Sequence, residues 1–129
     1  MSHRDAVMAP DAPKPAGPYS HAVRSGGLLF CSGQVPIDPA TGNLVEGSIG
    51  DQARQCLENL TTVCKGSGVT LADAVRMSIY VTDISTFAQV NEVYGSYFES
   101  DPPARTTIGV AALPGGAQIE MDAIVALPD

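Results

Sequence analysis

Positive charge is scarce in this chain. Seven Lys and Arg (Arg4, Lys14, Arg24, Arg54, Lys65, Arg76, Arg105) face fourteen Asp and Glu in 129 residues, a net charge of −7. The seven form no basic run or stripe. Phosphate backbones attract clustered cations through counterion release, so an acidic chain with dispersed cations argues against a nucleic-acid partner. Charge of either sign is low too, 16% of residues, where soluble domains carry about a quarter. With 44% apolar residues, part of the surface is expected to meet another protein copy instead of water.

Ligand and redox chemistry are just as thinly supplied. The two histidines, His3 and His21, have no partner at metal-ligand spacing, so no metal site is expected. Cys31, Cys56 and Cys64 form no CxxC pattern. On one helix Cys56 and Cys64 lie about 12 Å apart at about 1.5 Å rise per residue, beyond the roughly 7 Å limit of a disulfide. Reduced, mostly buried thiols in a cytoplasmic protein are expected. No segment resembles a signal peptide or a membrane span. The Asn59-Leu60-Thr61 sequon falls inside a predicted helix and is discounted. Gly66-Ser67-Gly68 follows that helix, where it reads as a C-terminal cap and not a phosphate loop. Ser32 lacks the surroundings of a nucleophile elbow.

What is present patterns clearly. Residues 1–16 are rich in Pro and Ala and read as a flexible segment, with one domain over 17–129. Ser20–Arg24 and Leu28–Gly33 flank Ser25-Gly26-Gly27, a predicted hairpin. Turn formers fill 34–47. Ser48, with Asp51 three residues on, predicts a helix start, and Ile49, Ala53, Cys56, Leu57, Leu60, Val63 and Cys64 follow at helical period. Val75–Thr82 alternates as a strand. Asp83 predicts the start of a second helix with Phe87, Val90, Tyr94, Tyr97 and Phe98 on one broad face, ended by Asp101-Pro102-Pro103. Arg105–Val110 and Ala117–Leu127 are two further strands. The order is an α+β sheet with both helices on one face. Leu28–Phe30 and Ile124–Ala126 are apolar on both sides of the pleat, so a further copy of the chain is expected to cover the other face.

Polar residues interrupt the last two strands. Arg105 and Thr107 share one face by period two, as do Glu120 and Asp122. On pattern alone these read as solvent-facing charges, or as a weak ion pair.

Six motifs add a resemblance: Gly17-Pro18-Tyr19-Ser20, Leu29-Phe30-Cys31-Ser32-Gly33-Gln34, Gln55-Cys56-Leu57-Glu58-Asn59-Leu60, Val90-Asn91-Glu92-Val93-Tyr94, Pro103-Ala104-Arg105-Thr106 and Ile119-Glu120-Met121-Asp122-Ala123. In this order they resemble the RidA-type (YjgF family) reactive-intermediate deaminases, from about Gly17 to Leu127. The resemblance implies a chorismate-mutase-like ββαβαββ fold. It also implies a homotrimer with the sheets facing a central barrel and clefts between subunits. The implied activity is hydrolysis of 2-aminoacrylate and related enamine or imine acids to 2-keto acid and ammonia, without metal or cofactor. Arg105 takes the place of the carboxylate-binding arginine and Glu120 that of the water-activating glutamate. Tyr19 corresponds to a cleft tyrosine, and Ser32, Gly33 and Gln34 to the substrate-binding turn. Asn91 matches a family position on the second helix. Thr107 stands where some members carry Cys; its hydroxyl can still hydrogen-bond a ligand. Gly109 stands where many relatives are acidic. The alternatives are a non-enzymatic sensor of small carboxylates such as 2-keto acids, an endoribonuclease, and a holdase chaperone.

Overall fold

The structure, a computed structural model, describes residues 3–128. Its elements run β1 (Asp5–Val7), β2 (Ala22–Ser25), β3 (Leu28–Gln34), α1 (Ile49–Lys65), β4 (Ala74–Val81), α2 (Phe87–Tyr97), β5 (Ala104–Gly109) and β6 (Ile119–Ala126). The strands form one sheet in the order β1-β2-β3-β6-β4-β5, antiparallel except for the β4–β5 pair. This is the mixed α+β sheet that the sequence predicts, widened by β1.

Local chemistry sets most boundaries. Gly26 and Gly27 turn the β2–β3 hairpin at φ 61° and 81°, a left-handed pair that glycine adopts without strain. At the start of α1 the Asp51 N–H donates to Ser48 Oγ and the Ser48 N–H to Asp51 Oδ2, both at 3.1 Å, which satisfies two otherwise orphaned donors. The predicted apolar stripe of α1 is buried against the sheet. Asp83 Oδ1 accepts the Ser85 N–H at 3.0 Å and opens a short 3₁₀ turn that leads into α2. From the second helix Val90, Tyr94 and Phe98 are buried as expected, whereas Phe87 is 41% exposed. The difference is positional: Phe87 begins α2 beside Arg105 of β5, at the sheet's edge, where no further strand encloses it.

The sheet has two unlike faces. Leu29, Cys31, Met77, Ile79, Ile119 and Met121 point toward the helices and are buried. Among the described residues no helix covers the alternate positions. Phe30 and Ile108 there are 43% and 44% exposed, and Ile124 pairs with Phe30 across β3–β6.

The described part of residues 1–16 is not the flexible segment expected; Met1 and Ser2 lie outside the described residues. Asp5–Val7 pairs with Arg24–Ala22, and Ala9 and Ala12 are buried. His21 fastens this stretch. Its Nδ1 accepts the Ala9 N–H at 2.8 Å while Nε2 donates to the Pro13 carbonyl at 2.7 Å, at 3% exposure. These bonds span eight to twelve residues, a separation that local composition does not report. Replacing His21 by Phe keeps a ring but strands both backbone groups. We expect a destabilisation of about 1–3 kcal/mol per stranded group, read as a lower midpoint in a thermal melt.

Candidate active site

Two clusters of polar groups stand on opposite faces of the sheet. The first is a cavity of about 660 Å³ lined by Tyr19, Ser32, Gly33, Gln34 and Glu120, among others. It gathers five of the residues singled out in the sequence. The β3–β6 register shifts between Cys31 and Gln34, an irregularity that re-aims the side chains of β3. Ser32 is pinned by its Oγ, which donates to the Ser20 carbonyl at 2.6 Å, and by its N–H, which donates to the His21 carbonyl at 3.0 Å. At Gly33 a Cβ would stand 2.9 Å from Glu120 Cδ and closer still to Oε2, so any side chain there would displace the carboxylate. The absent side chain leaves the carboxylate room beside the β3 backbone. Tyr19 is exposed, and its hydroxyl accepts the Ala16 N–H at 3.1 Å, which leaves its own proton free to donate.

Glu120 is half-buried, and burial raises its pKa above the ordinary value, with the charge of Asp122 adding to the shift. Asp122 lies two residues along the same face and accepts the Tyr80 hydroxyl at 3.0 Å. Neither Arg105 nor any other β5 residue lines this cavity.

The second cluster lies between α2 and β5. Arg105 pairs with Met77 and Thr107 with Ile79, both fully buried beneath the helices, so Arg105 and Thr107 share the helix-facing side. Glu120 pairs with Tyr80, one position out of phase, and so belongs to the uncovered side. The Arg105 guanidinium rests over Tyr94 and Phe87, 4.7 and 5.3 Å from the ring centroids, within cation–π range of both. Phe87, Asn91 and Tyr94 recur at helical spacing on α2. On α2 and β5, Asn91 Oδ1, Tyr94 Oη and Thr107 Oγ1 are buried with no hydrogen-bond partner among the described residues. Burial raises the Tyr94 pKa, opposed by the Arg105 charge.

One chain therefore does not bring Arg105 and Glu120 together. It brings Glu120 to Tyr19, Ser32, Gly33 and Gln34, and sets Arg105 on the face of Thr107, over Phe87 and Tyr94 of α2, the helix that also carries Asn91. Sequence reasoning missed the aromatic platform, for which Phe87 and Tyr94 at i and i+7 were the available signal. It also missed the segment 35–44 and Pro114, which line the cavity. Among the described residues no group of three or more His, Cys, Asp or Glu is placed to hold a metal ion. No described helix is long and apolar enough to cross a membrane. Cys31, Cys56 and Cys64 are free and buried, and burial pushes the Cys56 thiol up, against the reactive thiolate form.

Known proteins share the sequence and the fold. The family model described as Endoribonuclease L-PSP matches residues 9–127. Protein DfrA of Myxococcus xanthus is 49% identical over 123 residues, 94% of each chain. A 2-iminobutanoate/2-iminopropanoate deaminase of Dermatophagoides farinae is 38% identical over 127 residues, 98% of this chain and 99% of its own. The crystal structure of YyfA from Yersinia pestis, described as a Rid-family protein of unknown function, matches with a TM-score of 0.93 at 40% identity. It covers 97% of this chain and 100% of that one. Motifs, topology and near full-length matches agree: the chain belongs to the Endoribonuclease L-PSP family, the RidA-type or YjgF proteins.

Proposed function

We propose that the protein hydrolyses reactive 2-imino acids and their enamine tautomers, 2-aminoacrylate among them, to 2-keto acid and ammonia. The site is built by two neighbouring copies in a homotrimer. The observation that carries this reading is the split itself. A carboxylate set in a cavity and a guanidinium resting over two aromatic rings occupy opposite faces of one sheet. In a ring of copies, the β5 edge of one lies against the cavity of the next, and the same packing covers Phe30 and Ile108.

The chemistry follows from the groups. Arg105 binds the substrate carboxylate with two parallel hydrogen bonds, which fixes the C=N carbon in place. Thr107 and Asn91 offer polar oxygens beside it. Glu120 takes a proton from water as the oxygen attacks that carbon. That proton passes to nitrogen, giving a tetrahedral adduct that carries OH and NH2; Glu120 then takes the hydroxyl proton, which also reaches nitrogen, and as C=O forms the C–N bond breaks to release ammonia. The Gly33 carbonyl and the Tyr19 hydroxyl, both at the cavity wall, hold the departing nitrogen. One water is consumed for each ammonia and keto acid formed. General-base assistance supplies about 10²–10⁴-fold, sufficient for an imine that also decays unaided.

A net charge of −7 speaks against RNA as the substrate. Three free buried thiols suit a reducing compartment such as the cytoplasm. The test is ammonia release from 2-aminoacrylate generated in situ. Release no faster than in buffer, with 2-keto acid still bound, makes the protein a sensor instead.

The base must be ionised to act, and the Glu120 pKa is raised by burial and by Asp122. Activity therefore falls as pH drops through a value above the ordinary 4.5. In Asp122→Asn, which keeps an acceptor for Tyr80 but removes the like charge, the acid limb of the kcat/KM profile moves to lower pH.

A further inference from the structure

An aromatic residue stands directly opposite the proposed base. The register pairs Tyr80 of β4 with Glu120 of β6, and Ser78 with Asp122, so all four side chains leave the open face of the sheet. The Tyr80 hydroxyl does not serve its opposite partner. It reaches one pair along the ladder and donates to Asp122 Oδ2 at 3.0 Å, a diagonal contact within reach of a long side chain on paired strands. A hydroxyl has one proton to give, and here Asp122 receives it. Burial raises the Tyr80 pKa, and the bond to Asp122 and its charge add to the shift, so the donor keeps its proton. Neither Tyr80 nor Asp122 lines the cavity. Any effect of the pair on the reaction passes through Glu120.

The other groups around Glu120 leave the Asp122 charge unopposed. Arg76, the cation on the open face of β4, turns to β5, where its guanidinium donates to Thr106 Oγ1. From the cavity Glu120 meets Tyr19, His21 and Lys14. Lys14 is exposed, where water and salt screen it. His21 has both ring nitrogens in hydrogen bonds to backbone. The adjoining stretch of β3 contributes Ser32, Gly33 and Gln34, none of which ionises. From α1 the Cys56 thiol is kept neutral by burial and by the Glu120 charge. An aspartate left free at a half-exposed strand position would turn toward water, where its field is screened. The phenol keeps it over the sheet.

We propose that Tyr80 is a positioning residue for the proton transfer: by holding the Asp122 carboxylate over the sheet, it keeps a fixed negative charge beside the Glu120 base. This rests on the deaminase reading above. A base raised by a neighbouring anion takes the proton of water more readily, and it is also lost earlier as the solution becomes acid.

The test is Tyr80→Phe in the intact protein, which keeps the ring and removes the donor. Two readouts are compared with the wild type: the pH profile of kcat/KM for 2-aminoacrylate generated in situ, and the titration of the Glu120 side-chain carboxyl followed by carbon NMR. The acid limb and the titration are both expected to move to lower pH. On the acid limb kcat/KM rises by about 1.5- to fivefold, the range of a partly exposed charge pair. In the Asp122→Asn background Tyr80→Phe moves neither readout, because no charge remains to be held. A Tyr80 that only supports the fold would lower activity at every pH and leave the limb in place. A limb and titration that stay put or move to higher pH in Tyr80→Phe, or an equal shift in both backgrounds, overturn the proposal and leave deamination standing. If the wild type hydrolyses no imine, the deaminase reading fails and the NMR titration decides alone. A lower midpoint in Tyr80→Phe that vanishes in the Asp122→Asn background then supports the held charge, and an unchanged midpoint overturns it.

Discussion

Arg105→Ala and Glu120→Gln, each expected to work near the spontaneous rate alone, recover about a quarter of wild-type activity when unfolded and refolded together in equal amounts. In the proposed ring every site draws its arginine from one copy and its glutamate from the next. With random mixing, half the copies carry an intact Arg105 and half of their neighbours an intact Glu120. Two halves multiply to about one quarter, whatever the number of copies in the ring. A site confined to one chain recovers nothing, because no single chain then holds both groups. The comparison is made at equal protein concentration, with the separately refolded variants as blanks. Absence of recovery in mixtures shown to contain hybrid oligomers rules out the shared site. The register underlies this expectation, since Arg105 and Glu120 leave the sheet on opposite sides.

Glu120→Gln taken alone lowers kcat by about 10²–10⁴-fold, the range of a lost general base. Gln keeps the size and a hydrogen-bonding tip but cannot take a proton from water. On the proposed mechanism binding of the product keto acid persists, because Arg105 and not Glu120 holds its carboxylate. Gly33→Ala separates position from identity. It leaves Glu120 in the sequence but pushes the carboxylate away, since the new Cβ would stand 2.9 Å from Cδ. A displacement of about 1 Å can cost about 10²-fold. The Glu120 side chain can swing aside, so the thermal midpoint of Gly33→Ala stays close to that of the wild type. Activity retained in Gly33→Ala removes the requirement for a closely placed carboxylate. Activity retained in Glu120→Gln removes the base.

Most elements were legible because their causes lie within a few residues of one another. The Ser48–Asp51 cap, the α1 stripe and the glycine pair of the first hairpin are short-range arrangements, and the structure keeps all three. Nothing beside His21 in the sequence signalled its reach to Ala9 and Pro13. The segment 34–47 read only as turn formers. Its ordering depends on Asn59, which lies on the following helix and whose side chain looked unremarkable among helical neighbours.

By itself the sequence determined the strands and helices, the family and the residue types available for chemistry. It also determined that Arg105 shares a face with Thr107, and Glu120 with Asp122. It did not determine whether those two faces are the same. Side chains alternate with period two along each strand, so parity is known within a strand and undefined between strands until register is set. Pairing across the sheet, between residues far apart in the chain, put the guanidinium under the helices and the carboxylate on the open side. Only the tertiary structure decided that.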